Sequence, residues 1–325
     1  MSKSLETIRK VAVDPDIQRF VDTNNASYAA HARPGTRTLS ERRAMAELVR
    51  EQWRAGGPIM AESRDLSMGD LRLRLHRPTD DADLPVMLYI HGGGWTLFSI
   101  DTHDRLMREY AARAGIAVIG IDYSLSPESK FPAALNEVSA ALDWIAENAA
   151  ELGVDPQRLL VGGDSAGANM SVAVCLLRRD QHQPMPLGMV LSYGAFAAEP
   201  TESYARFNGP TFTLEVEEMD AFWDNYVDSP DQLTDPLVAP LHADLHDLPP
   251  AFLAIAECDI LADCNHAFAS GLAAAAVPVE AVVYEGATHS FLEAMSIAPL
   301  AGKALDDQAA WIRSVLEQPG GNAPA

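Results

Sequence analysis

Ser165 stands in Gly163-Asp164-Ser165-Ala166-Gly167, just after the apolar run Leu159-Leu160-Val161 and just before Ala168-Asn169-Met170-Ser171-Val172-Ala173. A G-x-S-x-G sequence at a strand-to-helix junction presents its serine on a sharp turn with the hydroxyl exposed, and the glycines let neighbouring chain pass close by. A serine hydroxyl is a weak nucleophile at neutral pH and needs a base within hydrogen-bond reach. His289, in Tyr284-Glu285-Gly286-Ala287-Thr288-His289-Ser290-Phe291, follows the last expected strand, where side chains gather at the carboxyl edge of a sheet. His31, His76, His103, His182, His242 and His246 lack such a position and read as surface or capping residues, and His266 falls on an expected helix. The base in turn needs an orienting carboxylate. Three acids follow the apolar run Ala251–Ala256: Glu257, Asp259 and Asp263. Glu257 suits a strand end and Asp263 a helix cap. Asp259, between them on the loop, is the first choice, with the other two near enough in sequence to compete.

Attack of a serine on a carbonyl generates an oxyanion that preorganised N–H donors must hold. His91-Gly92-Gly93-Gly94-Trp95 follows a second apolar run and offers consecutive glycine amides with no side chains in the way. The amide of Ala166, the residue after the nucleophile, is a further donor.

These residues need a rigid frame. Leu71-Arg72-Leu73-Arg74-Leu75 alternates strictly, as a strand with one buried face does. Pro85–Ile90 and Ile116–Ile121 are continuous apolar runs, as in strands covered on both faces. The spacing predicts helices over 103–114, 132–149 and 165–179, and strands over 158–162, 187–193, 251–255 and 279–284. Strands alternating with helices imply an α/β fold with a mostly parallel sheet. Residues 1–58 read as amphipathic helix, broken near Arg33-Pro34-Gly35 and ended by Gly56-Gly57-Pro58. Residues 199–235 are acidic and aromatic without a buried-strand signal, and read as an insertion. The terminal Gly320–Ala325 stretch reads as loose.

The 325-residue chain is 48% hydrophobic and carries a formal net charge of −22. That charge argues against nucleic acid or an anionic membrane as partner, since phosphate binding needs surplus Lys and Arg. Lys3, Lys10, Lys130 and Lys303 are its only lysines. Cys175, Cys258 and Cys264 fit a reducing compartment better than a disulfide framework. Met1–Phe20 lacks the apolar core of a signal peptide, and no stretch reaches the ~20 apolar residues of a membrane span. The expectation is a cytoplasmic protein with neither metal nor other cofactor.

The chain resembles the bacterial branch of the hormone-sensitive-lipase family of esterases, in the α/β-hydrolase superfamily. The matching segments are His91–Trp95, Asp122-Tyr123-Ser124-Leu125-Ser126-Pro127-Glu128, Phe131–Leu135, Gly163–Gly167, Asp259-Ile260-Leu261 and Tyr284-Glu285-Gly286 with His289. They span about 60–292 in the family's order. The resemblance implies a Ser165, Asp259, His289 triad, an oxyanion hole of Gly93, Gly94 and Ala166, and a structural His91. Asp164 aligns the chain with the Gly-Asp-Ser-Ala-Gly members and has no implied part in bond breaking. Ser124, Ser126 and Ser290 stand where the family usually has Arg, Ala and Gly.

The resemblance further implies a helical cap of residues 1–55 and 199–235 over a core of 56–198 and 236–325. Trp95, Tyr193, Phe212, Phe222 and Trp223 are candidates for lining the substrate pocket, the alternative for the cap aromatics being the cap's own core. The expected activity is two-step hydrolysis of short- to medium-chain acyl esters through an acyl-serine, by a chain that pairs as a homodimer as family members commonly do. Amides, lactones or carbamates are alternative substrates, and a non-catalytic binder on the same fold is the reading from another class.

Overall fold

A computed structural model describes residues 11–32 and 37–317. The expected break at Arg33-Pro34-Gly35 and the terminal Gly320–Ala325 stretch lie outside the described residues. Two helices come first, α1 (Pro15–Ala30) and α2 (Leu39–Arg54). Asp14 starts α1 by accepting the N–H groups of Asp16 and Ile17, with Pro15 in the first turn, where a missing N–H costs nothing. Thr38 and Glu41 form a reciprocal capping box on α2. Trp53 clamps the two helices together. Its buried ring meets Phe20 edge-on at 4.9 Å, and its indole N–H donates to Asn24 Oδ1 at 2.6 Å.

The chain then runs through β1 (Glu62–Met68), β2 (Leu71–Arg77), β3 (Leu84–Ile90), α3 (Asp104–Ala114), β4 (Ala117–Ile121), α4 (Ala133–Glu147), α5 (Ala149–Leu152) and β5 (Val154–Asp164). It continues with α6 (Ala166–Asp180), β6 (Met189–Ser192), α7 (Glu202–Arg206), α8 (Val216–Tyr226), β7 (Ala251–Cys258), α9 (Ala262–Ala274), β8 (Val279–Thr288) and α10 (Pro299–Glu317). The strands form one 8-stranded sheet in the order β1-β2-β4-β3-β5-β6-β7-β8. β2 runs against both its neighbours, and every pairing from β4 across to β8 is parallel. This is the α/β-hydrolase fold.

Side-chain alternation sorts the core into two layers. On β3, Val86, Leu88 and Ile90 join Leu135 and Val138 of α4 and Val172 of α6. Met87 and Tyr89, on the other face, join Tyr110 of α3 and Leu305 of α10. The continuous apolar runs are therefore strands buried on both faces, as their sequence implied. β1 escaped the sequence reading: Glu62-Ser63-Arg64-Asp65-Leu66-Ser67-Met68 pairs on one side only and buries little besides Leu66, so no hydrophobic period marks it. Between β6 and β7 the chain leaves the sheet for α7, α8 and two 3-10 turns at Pro230–Thr234 and Pro240–His242. No helix among the described residues is long and apolar enough to cross a membrane.

The Trp53 clamp predicts that Trp53→Ala lowers stability by about 3–5 kcal/mol, the cost of truncating a large buried aromatic. Urea denaturation of the two proteins measures it; a change below about 1 kcal/mol would mean that α1 and α2 dock independently of this ring.

Candidate active site

Ser165 occupies the junction between β5 and α6 with φ 54° and ψ −115°. Such a conformation costs a non-glycine residue on the order of 1–3 kcal/mol and persists only where its surroundings enforce it. Here they do. Ser165 N–H donates to Ser192 O at 2.9 Å, and Ser165 O accepts from Asn169 N–H at 3.1 Å. A Cβ at Gly163 or Gly167 would collide with the Ile90 carbonyl oxygen, so the tight approach of the turn to β3 admits only glycine at both positions. Ala166 opens α6, where N–H groups have no partner within the helix.

The carboxyl ends of β7 and β8 bring the other two groups to the serine. His289 Nε2 lies 3.0 Å from Ser165 Oγ, and its Nδ1 lies 2.7 Å from Asp259 Oδ2. Asp259 is fully buried, and its second oxygen accepts Leu261 N–H at 3.0 Å. A carboxylate at Nδ1 selects the tautomer with its proton there, leaving Nε2 a lone pair aimed at the serine hydroxyl. The competing acids are occupied elsewhere. Glu257 accepts the Gly286 N–H at 2.8 Å, and Asp263 accepts the Ser203 N–H at 2.8 Å.

The glycine loop after β3 is anchored to the same turn. Asp164 Oδ1 accepts the Gly92 N–H at 3.0 Å and the Tyr89 hydroxyl at 2.7 Å. Gly93 O accepts the N–H groups of Thr96 and Leu97, which folds the loop back on itself. Gly93 and Gly94 line one cavity with Ser165 and His289. His91 packs flat on Tyr123 at 4.3 Å and donates from Nδ1 to Gly92 O at 2.7 Å, while the Tyr123 hydroxyl donates to His91 O.

His103 corrects the surface or capping role expected of it. It is buried, with Nε2 3.5 Å from Asp164 Oδ1 and 3.6 Å from Glu293 Oε1. Arg50, reaching down from α2, completes the group at 3.3 Å from Glu293 Oε2 and lies 4.7 Å over the Phe98 ring. Burial opposes the charge on His103, but Asp164 and Glu293 outweigh it and raise its pKa. Burial and then the His103 charge push neighbouring His91 down to about 4. Burial would raise Asp164, yet His103, Tyr89 and the Gly92 N–H bring it down to about 2. Of the two adjacent imidazoles, the one facing the carboxylates is thus the one whose protonated form is favoured. Sequence reasoning missed this group because its members lie far apart in the chain and only folding makes them neighbours.

Of the five aromatic residues expected at the pocket, Phe222 lines it and the other four are placed elsewhere. Trp95 is fully buried, stacked on Tyr226 at 4.2 Å and against Trp223 at 4.6 Å, so these rings join α8 to the glycine loop. Tyr193 lies behind His289, edge-on at 5.1 Å. Phe212 packs on Phe207. The cavity, about 470 Å³, is instead walled by Val21, Met45, Val49, Leu97, Leu214 and Met219 among its apolar residues, mostly from helices α1, α2 and α8. Ser290 also lines it and takes a left-handed φ of 59°, which accounts for the glycine usual there. Ser124 is held by Glu137, its hydroxyl donating at 2.6 Å.

The depressed Asp164 has a pH signature. Its contribution is fully present above the ordinary carboxylate value of 3.8 and is lost as pH falls through about 2. Asp164→Asn is therefore expected to flatten the loss of stability between those limits, and to cost about 3 kcal/mol at pH 7 because the His103 charge is left without one buried partner. Urea midpoints measured against pH test both. The raised His103 acts with the opposite sign: its contribution is present below 6.5 and fades as pH climbs through its higher folded value.

Residues 87–293 match the family model described as alpha/beta hydrolase fold. The chain is 34% identical over 308 residues to carboxylesterase NlhH of Mycobacterium tuberculosis, covering 92% of this chain and 94% of that one. It is 33% identical over 279 residues to an acetyl esterase of Salmonella schwarzengrund, covering 84% and 86%. Among solved structures it superposes on a hyperthermophilic esterase from the archaeon Pyrobaculum calidifontis with TM-score 0.87 and 31% identity, covering 94% and 99% of the two chains. A thermostable esterase from Pseudomonas putida ECU1011 gives TM-score 0.86 at 31% identity, covering 95% and 99%. With its fold, its motifs and these relatives in agreement, the chain belongs to the hormone-sensitive-lipase-like branch of the α/β-hydrolase family and is a serine carboxylesterase.

Proposed function

We propose that Ser165, His289 and Asp259 are nucleophile, general base and orienting acid for the hydrolysis of short- to medium-chain acyl esters. The reading rests on one chain of contacts: Ser165 Oγ to His289 Nε2 at 3.0 Å and His289 Nδ1 to Asp259 at 2.7 Å. In the first half-reaction His289 takes the Ser165 proton as Oγ adds to the ester carbonyl. The amides of Gly93, Gly94 and Ala166 stabilise the resulting oxyanion. Collapse of the tetrahedral adduct breaks the carbonyl–alkoxy bond, and His289 returns the proton to the departing alcohol. Water, activated by the same imidazole, then adds to the acyl-serine and releases the acid.

The chain-length preference is supported by the cavity, about 470 Å³ and lined by α1, α2 and α8, and by the similarity to an acetyl esterase. In this reading residues 1–55 and 199–235 act as the cap. The three free, buried cysteines support a cytoplasmic location. Among the described residues β8 ends the sheet, with Asp14 bonded to Gly286 near its carboxyl end and Val283 exposed, which supports a homodimer that light scattering on the purified protein decides.

Ser165→Ala is expected to lower kcat by about 10⁴-fold or more while leaving the circular dichroism spectrum unchanged. Near-full activity in that variant would remove Ser165 from the mechanism. p-Nitrophenyl butyrate should be cleaved far faster than the palmitate ester, and comparable rates would contradict the proposed chain-length limit.

A further inference from the structure

The cavity that Ser165 and His289 line also takes polar and charged groups from Tyr28 of α1, Arg37, Arg42 of α2 and Glu218 of α8. Both arginines are half-buried. In a chain of formal charge −22, arginines are readily paired with acids, and Arg43, Arg74, Arg108, Arg113 and Arg178 all hold carboxylates. Among the described residues, Arg37 and Arg42 hold none within ion-pair contact. The hydrogen bond described for Arg37 runs to the His31 carbonyl at 2.8 Å. Arg50, the third arginine on the wall, is already neutralised by buried Glu293.

Glu218 is the one acidic side chain among the described lining residues. Desolvation pushes its pKa up, against the pull of Arg42 and His289. Among the described lining residues Arg37 and Arg42 outnumber Glu218, with Glu215 acting on Glu218 from outside the lining. A guanidinium is preorganised to take a carboxylate through paired N–H donors.

We propose that Arg42 and Arg37, as specificity-determining residues of the cavity wall, bind a carboxylate carried by the ester, so that the enzyme selects half-esters and other esters bearing an anion distant from the scissile carbonyl. The inference rests on the carboxylesterase reading and names its substrate class. Glu218 opposes the anion and limits how tightly it is held.

The test compares kcat/KM by pH-stat for two matched pairs. One carries the anion on the acyl side, monomethyl adipate against methyl hexanoate; the other carries it on the alcohol side, the acetate ester of 5-hydroxypentanoate against pentyl acetate. In at least one pair, the anionic-to-neutral ratio is expected to fall by about ten-fold or more in Arg42→Gln, mainly through KM, as the loss of one charge-assisted contact requires. Arg42→Lys should retain most of the ratio, Arg37→Gln should lower it and Glu218→Gln should raise it. With the unaltered protein, added salt should lower the same ratio. A ratio unchanged within about two-fold by Arg42→Gln in both pairs overturns the proposal, as does failure of the unaltered enzyme to cleave either anionic ester while it cleaves the neutral ones. Failure on the neutral esters as well would refute the esterase reading instead.

Discussion

The carboxylate of Asp164 is the constraint on which the site depends. It is buried, and a buried charge costs several kcal/mol unless its partners are fixed around it. Those partners are the Gly92 N–H, the Tyr89 hydroxyl and the His103 imidazole. The first ties the glycine loop to the nucleophile turn, so the groups that would hold an oxyanion and the serine that would create it share one anchor. Charge balance then runs outward through His103 to Glu293 and on to Arg50 of α2. A helix over the site is thereby electrostatically continuous with the turn beneath it. The residue of the pentapeptide with no part in bond breaking is the one that organises its surroundings.

The helices covering the site are held mainly by aromatic surface and by a few arginine and lysine clamps. Trp95, Trp223 and Tyr226 form a stack between the glycine loop and α8, and Phe131 meets Tyr226 from below. Lys130 donates to the carbonyl of Val227 at 2.6 Å, just past the carboxyl end of α8, where a cation is favoured. Arg43 of α2 donates to Thr96 O and Ser126 O while pairing with Glu128. Several large aromatics serve docking, and the cavity is shaped by aliphatic residues and methionines together with Tyr28, Phe98 and Phe222.

Much of this was legible in the sequence. The strands buried on both faces carried continuous apolar runs, and their flanking turns carried the serine and the glycines, while the histidine followed the edge strand β8. Asp259 could be preferred over Glu257 and Asp263 by its place on the loop. β1 could not be read, because a strand at the sheet edge needs no hydrophobic alternation. Nor could the pocket lining: a ring's period along a helix is the same whether it faces a cavity or a neighbouring ring. His103 looked like any helix-start histidine, since nothing local marks a side chain that a distant Asp and Glu will surround.

The sequence by itself determined the reaction, because that chemistry needs particular residue types on turns that follow buried strands, and local spacing records both. Only the tertiary structure decided which carboxylate meets His289, which aromatic rings are scaffold, and which arginines line the cavity. These are outcomes of long-range packing and of competition among partners for each charge. A solved charge pair and an unsolved one look alike until the chain has chosen its neighbours. The G-x-S-x-G turn could be read in five residues, but the wall of the cavity beside it is assembled from α1, α2, α8 and the loop after β3.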